Sequence, residues 1–147
     1  MAPEAGLRLR AEDAADLAVI SACLQDALVP VCDLAFDRDE RRFLMIANRF
    51  RWEAGQNGVA GFERTLCGIA FEDVDGVSYR GFRRNDEERI LSLLAIRTQD
   101  AGRIIDLDFS AGASIRLSVG TIRCRVRDLG EPWPTAWQPG HETDRPA

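Results

Sequence analysis

Ile104-Ile105-Asp106-Leu107-Asp108-Phe109-Ser110-Ala111-Gly112-Ala113-Ser114-Ile115-Arg116-Leu117-Ser118-Val119-Gly120-Thr121-Ile122-Arg123-Cys124-Arg125-Val126-Arg127-Asp128 is the most cleanly patterned stretch of the chain, and its reading decides the fold. Ile105, Leu107 and Phe109 alternate with Asp106 and Asp108. Side chains on a strand point to opposite faces in turn, so this is a strand with one apolar face and one wet, acidic face. Ser110-Ala111-Gly112-Ala113 interrupts the run. A small, glycine-containing turn between two alternating runs predicts a hairpin. The return strand is apolar at Ile115, Leu117 and Val119; after Gly120-Thr121 the apolar phase moves to Ile122, Cys124 and Val126. A two-residue period cannot change phase unaided. Either a β-bulge at Gly120 supplies the extra residue, or the strand turns a corner from one sheet to another.

Past the bend, Arg123, Arg125 and Arg127 share the outward face, at roughly 7 Å per step along a strand. Two readings stand side by side. One is a surface for an anion or an acidic partner. The other is a solvated strand face whose charge prevents edge-to-edge pairing.

Working upstream, Leu7 and Leu9 alternate with Arg8 and Arg10 in a short strand. Glu12 or Asp13 then caps a helix of about four turns, with Leu17, Ile20, Cys23, Leu24 and Ala27 recurring at spacings of three and four. Val29 to Asp37 reads as a strand entered through Pro30. Arg42 to Trp52 reads as a long strand; Phe43-Leu44-Met45-Ile46-Ala47 is apolar at every position, which predicts a middle buried on both faces. Thr65 to Asp73 is a strand, Asp75-Gly76 a turn, and Val77 to Phe82 its hairpin partner. Ile90 to Arg97 is apolar and leads into the organising hairpin, so it is read as a strand. The expected fold class is therefore α+β. One N-terminal helix packs on a bent antiparallel sheet, or partly closed barrel, of about 7–8 strands; a two-sheet sandwich is the alternative. The 147 residues suit one globular domain over residues 7–141, with residues 1–6 and 142–147 as frayed termini.

Composition excludes several chemistries. Every basic side chain apart from His141 is arginine, and the chain has no lysine. That removes Schiff-base chemistry and a phosphate-loop lysine. It also reads as the codon signature of a GC-rich bacterium. Gly55, Gly58 and Gly61 recur every third residue, yet a strand pattern follows them where a nucleotide loop needs a helix. Cys23, Cys32, Cys67 and Cys124 form no close pair, so no zinc site is expected, and no metal ligands are assigned beyond the option of a divalent ion at Asp106 and Asp108. No cofactor is expected either. The net charge of −5 argues against nucleic acid as a partner. No apolar run nears membrane-spanning length, and no basic start leads into an apolar block, so a cytoplasmic location without a membrane partner is expected.

Three functional readings remain. The first is a non-catalytic interaction or adaptor module, acting on a protein partner or by self-association through Arg123, Arg125, Arg127 and the Trp133 and Trp137 tail. Those tryptophans either cap the core or form a docking peptide. The second is a small anionic-ligand-binding, barrel-like domain with Arg49, Arg51 and Arg116 as a clamp. The third, an enzyme, rests only on Asp106 and Asp108 side by side on one strand face; no catalytic constellation names a reaction.

As a set, Leu34-Ala35-Phe36-Asp37, Asn48-Arg49-Phe50-Arg51-Trp52-Glu53, Leu93-Leu94-Ala95-Ile96, Gly112-Ala113-Ser114-Ile115-Arg116-Leu117 and Asp128-Leu129-Gly130-Glu131-Pro132-Trp133-Pro134-Thr135 resemble one family. It is the bacterial domain-of-unknown-function family 2948. The resemblance runs from about Leu7 to His141. It implies a small bacterial cytoplasmic protein and supplies no catalytic residues.

Overall fold

The computed structural model describes residues 6–51 and 62–135, with the side chains of residue 62 and of residues 131–135 outside the description. The glycine-rich loop at 55–61, Trp137, His141, most of the N-terminal end and the whole C-terminal end therefore lie outside the described residues, as does the packing of Trp133.

The chain opens with β1 (Arg8–Ala11) and α1 (Ala14–Cys23). Asp13 is the N-cap, its Oδ1 accepting the Asp16 N–H at 2.8 Å. Asp16 adds negative charge to the first turn, where the helix dipole favours it. Leu17 and Ile20 face the sheet and are buried. The helix stops at Cys23 and is shorter than the four turns expected. Asp26 takes a left-handed φ of 65° and its N–H turns away to the Leu93 carbonyl, so Ala27 belongs to the strand pairing that follows.

Nine more strands follow among the described residues. They are β2 (Leu28–Pro30), β3 (Leu34–Asp37), β4 (Arg42–Phe50), β5 (Phe62–Phe71), β6 (Val74–Arg80), β7 (Ile90–Gln99), β8 (Ile104–Phe109), β9 (Ser114–Val119) and β10 (Cys124–Thr135). All pair antiparallel in the order β1-β10-β5-β4-β2-β7-β8-β9-β6, with β3 also on β4. The sheet is bent and open, with β1 and β6 at its two ends. Ten strands replace the seven or eight expected because two long runs are each broken. A 3-10 turn at Val31–Asp33 divides β2 from β3, and the bend at Gly120 divides β9 from β10.

That bend is a corner and not a bulge. β9 lies between β8 and β6, whereas β10 lies between β1 and β5 near the opposite end of the sheet. Gly120 donates its N–H to the Asp73 carbonyl and Thr121 its hydroxyl to the Asp73 carboxylate, which holds the turn. The hairpin of β8 and β9 forms as read, with Asp106 opposite Arg116 and Leu107 opposite Ile115.

Two expectations are corrected. β6 is not the hairpin partner of β5; it pairs with β9, while β5 lies between β4 and β10. Asp75-Gly76 sits inside β6 at a register shift, and the true turn is at Asp73, whose φ is 58°. The middle of β4 is not buried on both sides. Phe43, Met45 and Ala47 enter the core, but Leu44 and Ile46 each remain 38% exposed. The helix covers only one face, and nothing among the described residues layers the other. On the covered side Phe43 packs on Phe71, ring centroids 6.5 Å apart, among Ile69, Val126, Leu17 and Ile20. Truncating a buried phenylalanine in such a core costs about 3–5 kcal/mol.

Candidate functional site: an arginine face

The uncovered face of the sheet carries a concentration of arginines that the described acidic residues balance only in part. β1 pairs with β10 so that Arg8 lies opposite Arg127 and Arg10 opposite Arg125. All four side chains are exposed. On the far side of β10, Arg125 lies opposite Ala70 and Arg127 opposite Gly68 of β5. Beyond these come Leu44 and Ile46 of β4, paired with Ala70 and Gly68 respectively. Crossing the sheet, two rows thus read arginine, arginine, small residue, branched aliphatic. Arg8, Arg10, Arg42, Leu44, Gly68, Ala70, Arg125 and Arg127 line a concavity of about 600 Å³ over this face.

Acidic balance is sparse here. Glu72 accepts Arg42 Nε at 2.8 and 2.7 Å, and Arg125 Nη2 reaches it at 3.5 Å. The Arg42 hydrogen bond holds the Glu72 carboxyl below its ordinary range. Among the described residues Arg8, Arg10, Arg123 and Arg127 make no ion pair. Arg123 precedes β10 and lines a smaller adjoining hollow with Arg10, Glu12, Glu72 and Arg125.

The other residues singled out in the sequence are not brought together. Arg49 is buried at 1% exposure, and it grips Asp128 with Nε and Nη2 at 2.8 and 2.7 Å. Asp128 also accepts the Leu7 N–H at 2.8 Å, so the pair ties β4, β10 and the N-terminal segment. Arg51 pairs with Glu63 at 2.6 Å. Arg116, on β9, gives Asp106 its Nε at 2.8 Å and Nη2 at 3.2 Å. Asp106 is 5% exposed and also accepts Gln99, so the acidic face of β8 is drier than expected. Asp108 is bonded to Arg97. The Arg116 bond holds the Asp106 carboxyl below its ordinary range, so it is ionised at neutral pH and has no proton to donate as a general acid. No group of His, Cys, Asp or Glu among the described residues could hold a metal ion. Burial pushes the Cys67 and Cys124 thiols up to about 12, far from thiolate chemistry at neutral pH. No described helix is long and apolar enough to cross a membrane.

Arg8, Arg10, Leu44 and Ile46 were not among the sequence candidates. Their alternation was visible, but their meaning depends on which strands stand beside them. Arg64, also missed, is buried with its Nη2 donating to the Asn48 carbonyl at 2.9 Å. Comparison with curated proteins and with solved structures finds no match in either. Residues 7–141 match the family model described as "Protein of unknown function (DUF2948)", and the chain belongs to that family.

Proposed function

We propose that this chain is a non-catalytic interaction module whose working surface is the arginine face of β1 and β10, taking an acidic protein partner. One observation carries the reading. Arg8–Arg127 and Arg10–Arg125 are cross-strand pairs of like charge in a chain of net charge −5. Like charges directly opposite one another destabilise a sheet, and an anionic partner would offset that cost. Protection of a sheet edge accounts for Arg8 and Arg10 on the terminal strand β1. It does not account for Arg125 and Arg127, because β10 is an interior strand flanked by β1 and β5. The lysine-free, alanine-rich composition supports a bacterial setting. For the smaller-ligand alternative, the same face is the better anion site, since Arg49, Arg51 and Arg116 already hold carboxylates.

The test is retention on immobilised poly-L-glutamate across a salt gradient. The parent protein is expected to bind and to elute earlier as salt rises. A folded Arg125→Ala/Arg127→Ala variant is expected to flow through. Equal retention of the two proteins, or none by the parent, would sink the reading.

A further inference from the structure

The arginine face is one wall of a trough, and the trough has a shape. Its floor is Gly68 and Ala70 on β5; across from the arginines β4 contributes Leu44 to the concavity, with Arg42 on one side of it and exposed Ile46, opposite Gly68, continuing the same face on the other. Resting on the reading above, we infer that the occupant is an amphipathic acidic α-helix of a protein partner, lying along the strands.

One observation and two general dimensions of sheets and helices favour a helix. The floor strand is paired along both edges: Gly68 with Ile46 and Arg127, and Ala70 with Leu44 and Arg125. It therefore has no backbone groups to offer. An extended segment laid on this face would leave its own N–H and C=O groups unpaired, whereas a helix satisfies its own. The walls stand two strand spacings apart, about 10 Å, close to the roughly 10–12 Å diameter of a helix with side chains. Successive rows of the trough are about 7 Å apart, near the roughly 6 Å that separates residues i and i+4 on a helix.

The walls then specify the helix. Acidic residues at i and i+4 along one flank meet Arg125 and Arg127, with Arg8 and Arg10 behind them. Leucine, isoleucine or valine along the other flank meets Leu44 and Ile46. With no side chain of its own at Gly68, the floor there is overhung only by Leu129, whose Cδ1 lies 3.6 Å from the place a Cβ would take. Single-stranded nucleic acid is a poorer match because it needs aromatic platforms for its bases. The large hydrophobic residues exposed among the described ones are valine, leucine and isoleucine only.

The experiment is fluorescence anisotropy on the full chain with two labelled synthetic peptides of identical composition. One carries glutamate and leucine on opposite flanks of a helix; the other is scrambled. Poly-L-glutamate serves as a charge-only probe. The patterned peptide is expected to bind about tenfold or more tightly than the scrambled one, since packed apolar anchors dominate such interfaces. Gly68→Val fills the floor. A Cβ there meets Leu129 Cδ1 at 3.6 Å, an ordinary contact, and circular dichroism checks that the two further methyls of valine leave the fold intact. This variant is expected to erase the preference while keeping poly-L-glutamate binding. Should it misfold by circular dichroism, Leu44→Asn/Ile46→Asn removes the aliphatic wall from an exposed position and must show the same loss.

Equal affinity for the two peptides, or a preference that survives in the folded variants, overturns the helix assignment and leaves the arginine reading standing. No binding of poly-L-glutamate by the parent overturns both. A salt-sensitive dimer of the protein alone, lost in Gly68→Val, would overturn the partner helix in favour of a second copy.

Discussion

Asp128→Ala is expected to be among the most damaging single substitutions in this chain. Its carboxylate accepts Arg49 Nε at 2.8 Å, Arg49 Nη2 at 2.7 Å and the Leu7 N–H at 2.8 Å. The two side chains are 1% and 6% exposed, so water screens little of their attraction. Truncating Asp128 removes both charge-assisted bonds and leaves a guanidinium in the interior without its carboxylate. Removing one partner of a buried pair costs about 3–5 kcal/mol. That is a large share of the 5–15 kcal/mol or so that holds a typical domain. The assay is urea unfolding followed by tryptophan fluorescence, on Asp128→Ala, Arg49→Met and the double variant. The double variant is expected to be more stable than the sum of the singles implies, by about 2 kcal/mol or more, because neither charge is then left alone. A loss below about 1 kcal/mol for Asp128→Ala, or additive singles, would refute the reasoning. The same series decides the role of Arg49. If Arg49→Met weakens poly-L-glutamate binding while the fold keeps its stability, Arg49 serves an external anion after all.

Two further predictions follow from depressed carboxyls and buried thiols. Asp106 and Glu72 titrate below their ordinary values of 3.8 and 4.5 because of the hydrogen bonds from Arg116 and Arg42. Their stabilisation is therefore complete above those values and is lost as pH falls beneath them; Asp106→Asn should flatten the acid limb of a melting-temperature profile, and an unchanged limb would contradict it. Among the thiols, exposed Cys32 is expected to react first with a colorimetric disulfide reagent at pH 8, while Cys67 and Cys124 react only after unfolding; prompt native labelling of either would show that the sheet opens around it.

What the sequence discloses here divides along the range of the interactions. The β8–β9 hairpin is legible because its partners are adjacent in the chain and its turn is short. The corner is legible as a phase change, although choosing corner over bulge requires knowing that β10 pairs with β5 and β1. Asp75-Gly76 misleads because the same dipeptide suits a turn and a shift within a strand. Leu44 and Ile46 mislead for a related reason: an all-apolar run looks buried on both sides until the missing second layer is seen. Arg49 and Arg125 look alike in the sequence, each followed by an apolar residue and then another arginine. One is in the interior because Asp128 arrives from 79 residues away, and the other is at the surface because nothing comparable does.

The pairing of β1 with β10 has a temporal consequence. Residues 8–11 leave the ribosome more than a hundred positions before residues 124–127, their only strand partner among the described residues. Until that late stretch emerges, turns the corner at Gly120 and closes against both β5 and β1, the arginine quartet does not exist as a surface. Contacts of such long sequence separation form slowly. The arginine face is thus among the last parts of the molecule to be assembled, and a nascent or truncated chain carries only half of it.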